Sequence, residues 1–429
     1  MRVRAFPLLL SAALFPAASA GQGFPDVDSE IPLPSLTGSE ARAMGMGGAG
    51  IAISEDGSGL YWNPAGLAQM RRIEISGSVA HDRAEISDTW EGSSSSVTNR
   101  STNLGSVHVV YPFPTYRGSL VVALGNDQFR NYDLEYERRA VEGGSPQRIE
   151  KHDTISEYGK LTGWSVGIAV EASPRLYLGG SLFVHDGEDR IAVNQITTDL
   201  DNANPDTFQL DDLIETQADI SGFTGIFGLL YRVNPHVRLG ATMKTSTSLT
   251  FQGSQIVSEI TRADNGSESE LFDTVLFEDK FDFPVSVGAG VAVSASGVTV
   301  AGDVRYTDWT QIRLNDNPFG SRALSSQFED KASLYLGGEY IVGSSPFRLR
   351  AGFTYDPVPF RLLYETSPAP FEVKVDRDRK FVSLGAGVLI DTVFTIDVAA
   401  QFGSFTRESS LYSEERDLTR VFVSGAYRF

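Results

Sequence analysis

The chain has 429 residues, 55 acidic against 36 basic side chains, a formal charge of −19 and no cysteine. Without cysteine neither disulfides nor thiolate metal sites are available. An acidic chain with no basic cluster repels nucleic acid, which removes that class of partner.

The first residues read as a secretory signal peptide. Arg2 and Arg4 form a positive n-region, Ala5 to Phe15 an apolar run, and Ala18-Ser19-Ala20 a small-residue cleavage pattern. Residues 1–20 are therefore set apart from the fold, with Gly21 as the expected mature N-terminus. Loss of Arg2 and Arg4 would take the charge from −19 to −21. No later stretch approaches the roughly 18 uninterrupted apolar residues of a membrane helix. A closed barrel also satisfies its backbone in lipid, so an exported chain of this kind can still be a membrane protein.

From Arg72 onward, segments of about ten residues alternate apolar and polar side chains, the length a tilted strand needs to cross a bilayer. In Phe394–Phe402, Phe394, Ile396, Val398, Ala400 and Phe402 oppose Thr395, Asp397, Ala399 and Gln401. Phe347–Tyr355 and Val298–Tyr306 alternate in the same way. About fourteen such segments lie near 72–81, 103–112, 118–126, 162–171, 175–184, 219–232, 236–252, 282–294, 297–309, 331–342, 346–355, 379–390, 393–404 and 420–429. Short turns such as Asn234–Pro235 and Asp391–Thr392 take turns with long connections at 82–102, 127–161, 185–218, 253–281, 310–330, 356–378 and 405–419. Short turns on one side and long loops on the other are the pattern of an outer-membrane barrel. The expectation is an all-β fold: a transmembrane antiparallel β-barrel of about 14 strands, in the bacterial outer membrane, with both termini periplasmic.

If the apolar stripes meet lipid, the opposite stripes face the lumen. Asp303, Arg305, Glu339, Arg348, Arg350 and Asp397 then point inward, as generic lining or as partners for a plug. The acidic loop residues Asp199, Asp201, Asp206, Glu268, Glu270 and Asp273 read as solvated surface, with cation bridging to lipopolysaccharide as the sharper alternative. The run Asp199 to Asn204 lacks the full spacing of a calcium loop, so no metal is assigned. Trp90, Trp164 and Trp309 are expected at strand ends or in loops, where aromatic girdles sit. The last segment, with Val421, Val423, Tyr427 and Phe429 on one face, resembles the C-terminal signal of bacterial outer-membrane proteins, which implies the barrel-assembly machinery as a partner.

Residues 21–71 do not read as spanning strands. Asn63 before Pro64 has the form of a helix start, an Asn cap followed by proline at the first helical position. Upstream, Gly45, Gly47, Gly48 and Gly50 permit close backbone packing. The run ARAMGMGGAGIAISEDGSGLYWNPAGLA resembles the FadL/TodX family of outer-membrane transporters of hydrophobic compounds. Related barrels, including PorV-type components of secretion systems, share much of it. The resemblance implies that residues 21–71 fold into the lumen as a hatch that includes Asn63, Pro64 and Ala65, with 72–429 as the barrel. A barrel of this size does need a filler.

Other motifs fail on context. Gly45 to Gly50 matches G-x-G-x-x-G, but neither a strand precedes it nor a βαβ unit follows. Gly163-Trp164-Ser165-Val166-Gly167 matches a nucleophile elbow, yet sits inside an alternating segment. The five histidines have no metal-ligand spacing, and no enzyme or cofactor is expected. The implied function is ligand-gated uptake of hydrophobic small molecules such as long-chain fatty acids or hydrocarbons. Phe251, Phe272, Phe277, Phe281 and Phe283 are candidates for capture near the long loops. The competing reading is a partner-docking component of a secretion or surface-assembly system.

Overall fold

The computed structural model describes residues 40–90, 93–204, 207–316, 320–323, 328–359, 363–364, 372–375, 378–408 and 412–429. The expected signal peptide, residues 21–39 and Asp206 lie outside the described residues.

Fourteen antiparallel strands close into one barrel. They are β1 (Glu74–Trp90), β2 (Ser93–Phe113), β3 (Leu120–Asn131, continued by Leu134–Glu142), β4 (Ile149–Ser173) and β5 (Leu176–Asp199). Next come β6 (Gln209–Arg232), β7 (Val237–Lys244 and Thr247–Arg262), β8 (Glu268–Phe283 and Ser286–Ala295) and β9 (Val298–Thr307 and Arg313–Asp316). The circle ends with β10 (Gly320–Ala323 and Lys331–Ile341), β11 (Phe347–Tyr355 and Leu363–Tyr364), β12 (Glu372–Val375 and Lys380–Ile390), β13 (Phe394–Glu408) and β14 (Tyr412–Arg428). Each strand pairs with its sequence neighbours, and β14 pairs with β1 from Glu74↔Arg428 to Trp90↔Tyr412. That seam leaves no edge, the condition for a sheet in lipid.

The side chains follow the alternation. On β13, Val398 is 43% exposed while its neighbours Asp397 and Ala399 are buried at 6% and 2%. Trp164 stands out from β4 on the outer surface, and the sequence Gly163 to Gly167 is regular strand. Trp309 departs from the girdle expectation: it is buried inside, on a short 3-10 turn (Trp309–Gln311) between the two parts of β9.

The long connections are mostly not loops. β4, β5 and β6 have 25, 24 and 24 residues, about 80 Å at 3.3 Å per residue, far more than a bilayer needs. The segments assigned to loops at 127–161, 185–218 and 253–281 are largely strand that continues past the apolar band. Apolar alternation fades there because neither face of the sheet meets lipid.

The N-terminal segment lies against the inner wall. It holds a short helix α1 (Ala41–Gly45), a single turn α2 (Gly59–Trp62) and a 3-10 turn (Pro64–Gln69). The Asn63 side chain caps that last turn, its Oδ1 accepting from the Ala65 amide at 3.1 Å. Ala41, Met46, Ile51, Leu60 and Leu67 are all fully buried, so this segment is core rather than appendage.

Candidate functional site

The hatch is seated by backbone contact on glycines of the wall. A Cβ on Gly179 would strike the Pro64 carbonyl carbon, one on Gly240 the Ile51 carbonyl, one on Gly337 the Met46 carbonyl and one on Gly352 the Gly47 amide, all inside van der Waals contact. These glycines come from β5, β7, β10 and β11, so the seat runs round about half of the barrel. Gly47 and Gly48 themselves have φ of 64° and 78°, a left-handed bend that glycine adopts without strain.

Hydrogen bonds fix the register of the seat. Asp303 on β9 accepts the Ile51 amide at 2.8 Å, Thr354 on β11 donates to the Gly47 carbonyl at 2.7 Å, and Ser181 on β5 donates to the Leu60 carbonyl at 2.7 Å. Asn63 Nδ2 donates to the carbonyls of Ile51 (2.7 Å) and Leu229 (3.1 Å), tying two parts of the hatch to β6. Pro64 and Ala65 are fully buried beside it.

The six inward charges fall into two groups. Arg350 lies between Glu339 at 2.8 Å and Asp397 at 2.7 Å, and Arg42 of the hatch approaches Glu339 at 3.6 Å. Arg348 is half-buried on the same inner face. Asp303 and Arg305 sit higher, around the hatch and above it. Arg305 spreads over the rings of Trp62 and Tyr335, 4.7 Å and 4.8 Å from their centroids.

Above the hatch is a cavity of about 200 Å³. Its floor is Met44, Gly47, Gly48, Tyr61 and Trp62; its walls include Lys244, Phe283, Trp309, Tyr335, Asp356 and Phe381. The wall is interrupted at the same height in three neighbouring strands. β7 breaks at Thr245-Ser246, β8 at Pro284-Val285 and β9 at 308–312. Proline lacks the donor a ladder requires, which accounts for the break in β8.

The cavity wall carries cations and hydroxyls among its aromatic rings. The indole N–H groups of Trp62 and Trp309 are buried without a partner, although the two residues are only 3% and 8% exposed. Among the described residues Lys244 and Arg305 have no carboxylate within ion-pair distance. Asp356, just past β11, is already engaged by Lys331 (2.9 Å), Arg379 (3.4 Å), Ser333 (2.6 Å) and Tyr335 (3.2 Å). Burial alone would raise the Asp356 carboxyl, but Lys331 and Arg379 hold it well below the usual carboxylate range.

The phenylalanines divide. Phe251, Phe281 and Phe283 are buried inside, with Phe251–Phe281 centroids 5.5 Å apart and Phe283 stacked on by Trp309 edge-on at 6.1 Å. Phe277 is partly buried against the same cluster, while Phe272 is 60% exposed on the far part of β8. Lys244, Tyr335, Lys331 and Asp356 were not singled out from sequence. The one local signal was Phe283-Pro284, a proline inside an alternating run.

A family model described as outer membrane protein transport protein (OMPP1/FadL/TodX) matches residues 30–428. The chain belongs to this family. Alkane uptake protein A of Marinobacter nauticus is 23% identical over 401 residues, 87% of this chain and 82% of that protein. Among solved structures, the toluene transporter TodX of Pseudomonas putida aligns over 92% of this chain and 99% of its own, with a TM-score of 0.66 and 16% identity. A Pseudomonas aeruginosa FadL homologue aligns over the same shares with a TM-score of 0.62 and 14% identity. At such identities the solved structures speak for the fold, and the family match places this barrel among outer-membrane transport proteins.

Proposed function

We propose that this family member takes up hydrophobic small molecules that carry an oxygen-bearing headgroup, with fatty acids as the first class to test and bare hydrocarbons as the weaker one. The observation that carries the headgroup is the donor-rich, aromatic chamber above the hatch. Lys244 and Arg305 line a space shared with Phe283, Phe381 and Tyr335, and the indole N–H groups of two further lining residues, Trp62 and Trp309, are buried without a partner. Polar groups of this kind orient a ligand whose apolar body supplies most of the affinity. A carboxylate would pair with the two cations; an alkane would leave them without a partner, and buried polar groups without partners cost free energy.

In this reading the short-turn rim faces the periplasm and the long strands β4–β8 project outside the cell. The phenylalanines of β7 and β8 form the approach to the chamber. The outward band of Ile396, Val398, Phe402, Val423 and Tyr427 meets the bilayer. Passage beyond the chamber requires the hatch to shift, and the glycine-dense stretch from Gly45 to Gly50 supplies its bends.

Native mass spectrometry with lipid extraction, on protein taken gently from outer membranes, tests this. A bound fatty acid that is lost in Lys244→Met and Arg305→Met supports the proposal. Retained alkane with no acid sinks the headgroup assignment but keeps uptake. A retained protein partner with no small molecule moves the chain to the docking role.

A further inference from the structure

At the N-terminal end of α1 a histidine is gripped from both sides. His108 on β2 is 1% exposed. Its Nδ1 lies 3.1 Å from Oε1 of Glu40 in the hatch, and its Nε2 lies 3.1 Å from Oδ1 of Asp127 on β3. Glu40 is also held by the Ser76 hydroxyl of β1, which donates to Oε1 at 2.9 Å. The second oxygen of Asp127 is buried without a partner. The hatch turn at Gly57 presses on the imidazole, since a Cβ there would overlap the ring.

Ionised carboxylates only accept hydrogen bonds, so each ring nitrogen must donate for both contacts to be attractive. A neutral imidazole has one bare nitrogen, which would face an oxygen lone pair at 3.1 Å. The remaining charges around the ring do not relieve this. Asp56 of the hatch adds negative charge near Glu40. Glu74 of β1 is taken by Arg428 of β14 at 2.6 Å and by the Gly57 amide at 2.9 Å, while Arg42 faces Glu55, Asp56 and Glu339.

We propose that His108 is a positioning residue for transport: a buried imidazolium that clamps the start of α1, through Glu40, to β2 and β3. His108, Glu40 and Asp127 are not among the residues that line the chamber, so the clamp acts on the seating of α1 and not on what the chamber binds. Charge-assisted hydrogen bonds of this kind are among the strong ones, and one carboxylate left without its cation in a buried site is costly.

The test uses the full barrel in detergent micelles. In nitrogen-15 NMR of labelled histidines at pH 7.5, the signal that vanishes in His108→Gln is expected to show a proton on both nitrogens. A single proton on His108 overturns the proposal. Hydrogen exchange provides a second, independent readout in Glu40→Gln, whose folded barrel is verified by heat-modifiable migration on gels. Amides of Ala41–Ser54, corrected for intrinsic rates, should exchange about tenfold or more faster than wild type at pH 7.5, with wall amides unchanged. Wild-type protection should fall at alkaline pH once the second proton is stripped, whereas the variant stays flat. Equal protection in both proteins across pH would overturn the clamp, because simple packing gives neither difference.

Discussion

Two pairs of cations inside this barrel live in opposite circumstances. Arg350 and Arg42, around and beneath the hatch, are each surrounded by carboxylates: Glu339 and Asp397 for one, Glu55, Asp56 and Glu339 for the other. Lys244 and Arg305, above the hatch, have no carboxylate within ion-pair distance among the described residues, and Arg305 lies over the rings of Trp62 and Tyr335. A buried cation with its partners in place is structure, because removing any member strands the others. A cation kept in an apolar chamber without a partner is a standing cost, and the simplest offset is an anion that comes and goes. The lower pair therefore reads as structure that seats the N-terminal segment, and the upper pair as the ligand site of the proposed function.

The comparison breaks most visibly at Arg350. Arg350→Met leaves Glu339 and Asp397 buried without their shared cation, a loss of about 3–5 kcal/mol by analogy with other severed buried pairs. We expect a lower thermal transition and faster hydrogen exchange in the hatch. An unchanged transition would mean that these charges are solvated lining. The upper pair should respond in the opposite sense. Lys244→Met and Arg305→Met are expected to leave the thermal transition unchanged or raised. They should weaken binding of a medium-chain fatty acid by roughly 10–100-fold, the worth of one charged hydrogen bond. Calorimetry on the purified barrel, with the matching alkane as control, separates headgroup from chain. Equal losses for acid and alkane would show that the substitutions damaged packing instead.

What was legible in the sequence follows from where each region meets a solvent. Lipid enforces period-two alternation, so β9, β11 and β13 are visible in Val298–Tyr306, Phe347–Tyr355 and Phe394–Phe402, and the inward stripe carrying Arg350 and Asp397 comes with them. Beyond the bilayer that constraint ends, and the outer parts of β4 to β8 look like loops although they are strand. The hatch was readable through its glycines and the Asn63-Pro64 start. The glycines that receive it, such as Gly179 and Gly352, were not, because a glycine in a strand does not say what presses on it. The chamber was least legible. Lys244, Phe283, Trp309, Tyr335 and Asp356 come from five strands and their breaks, and only closure of the barrel brings them together.

A smaller effect is expected at the hatch cap. Asn63 donates to Ile51 and Leu229 and caps the Pro64 turn, so Asn63→Ala with Pro64→Ala should cost about 1 kcal/mol of local order. The barrel should still assemble, with uptake reduced several-fold in cells growing on the ligand. Normal uptake by that double variant would argue that the hatch does not gate.

The smallest effect is confined to acid. Asp356 is held below its ordinary range by Lys331 and Arg379 despite its burial. A carboxylate depressed in the folded state contributes stability that is fully present above the unfolded value of about 3.9, and it is lost as pH falls through the lower folded value. The contribution of Asp356 to the chamber should therefore be constant above about pH 5 and should be lost only below about pH 4. Fluorescence of the buried Trp62 and Trp309 reports this directly, since both line the same cavity as Asp356. In Asp356→Asn the acid step should vanish, with Lys331 and Arg379 released at every pH. A step that persists in the variant would place the acid-sensitive group elsewhere, and the paired charges beneath the hatch would be the next to examine.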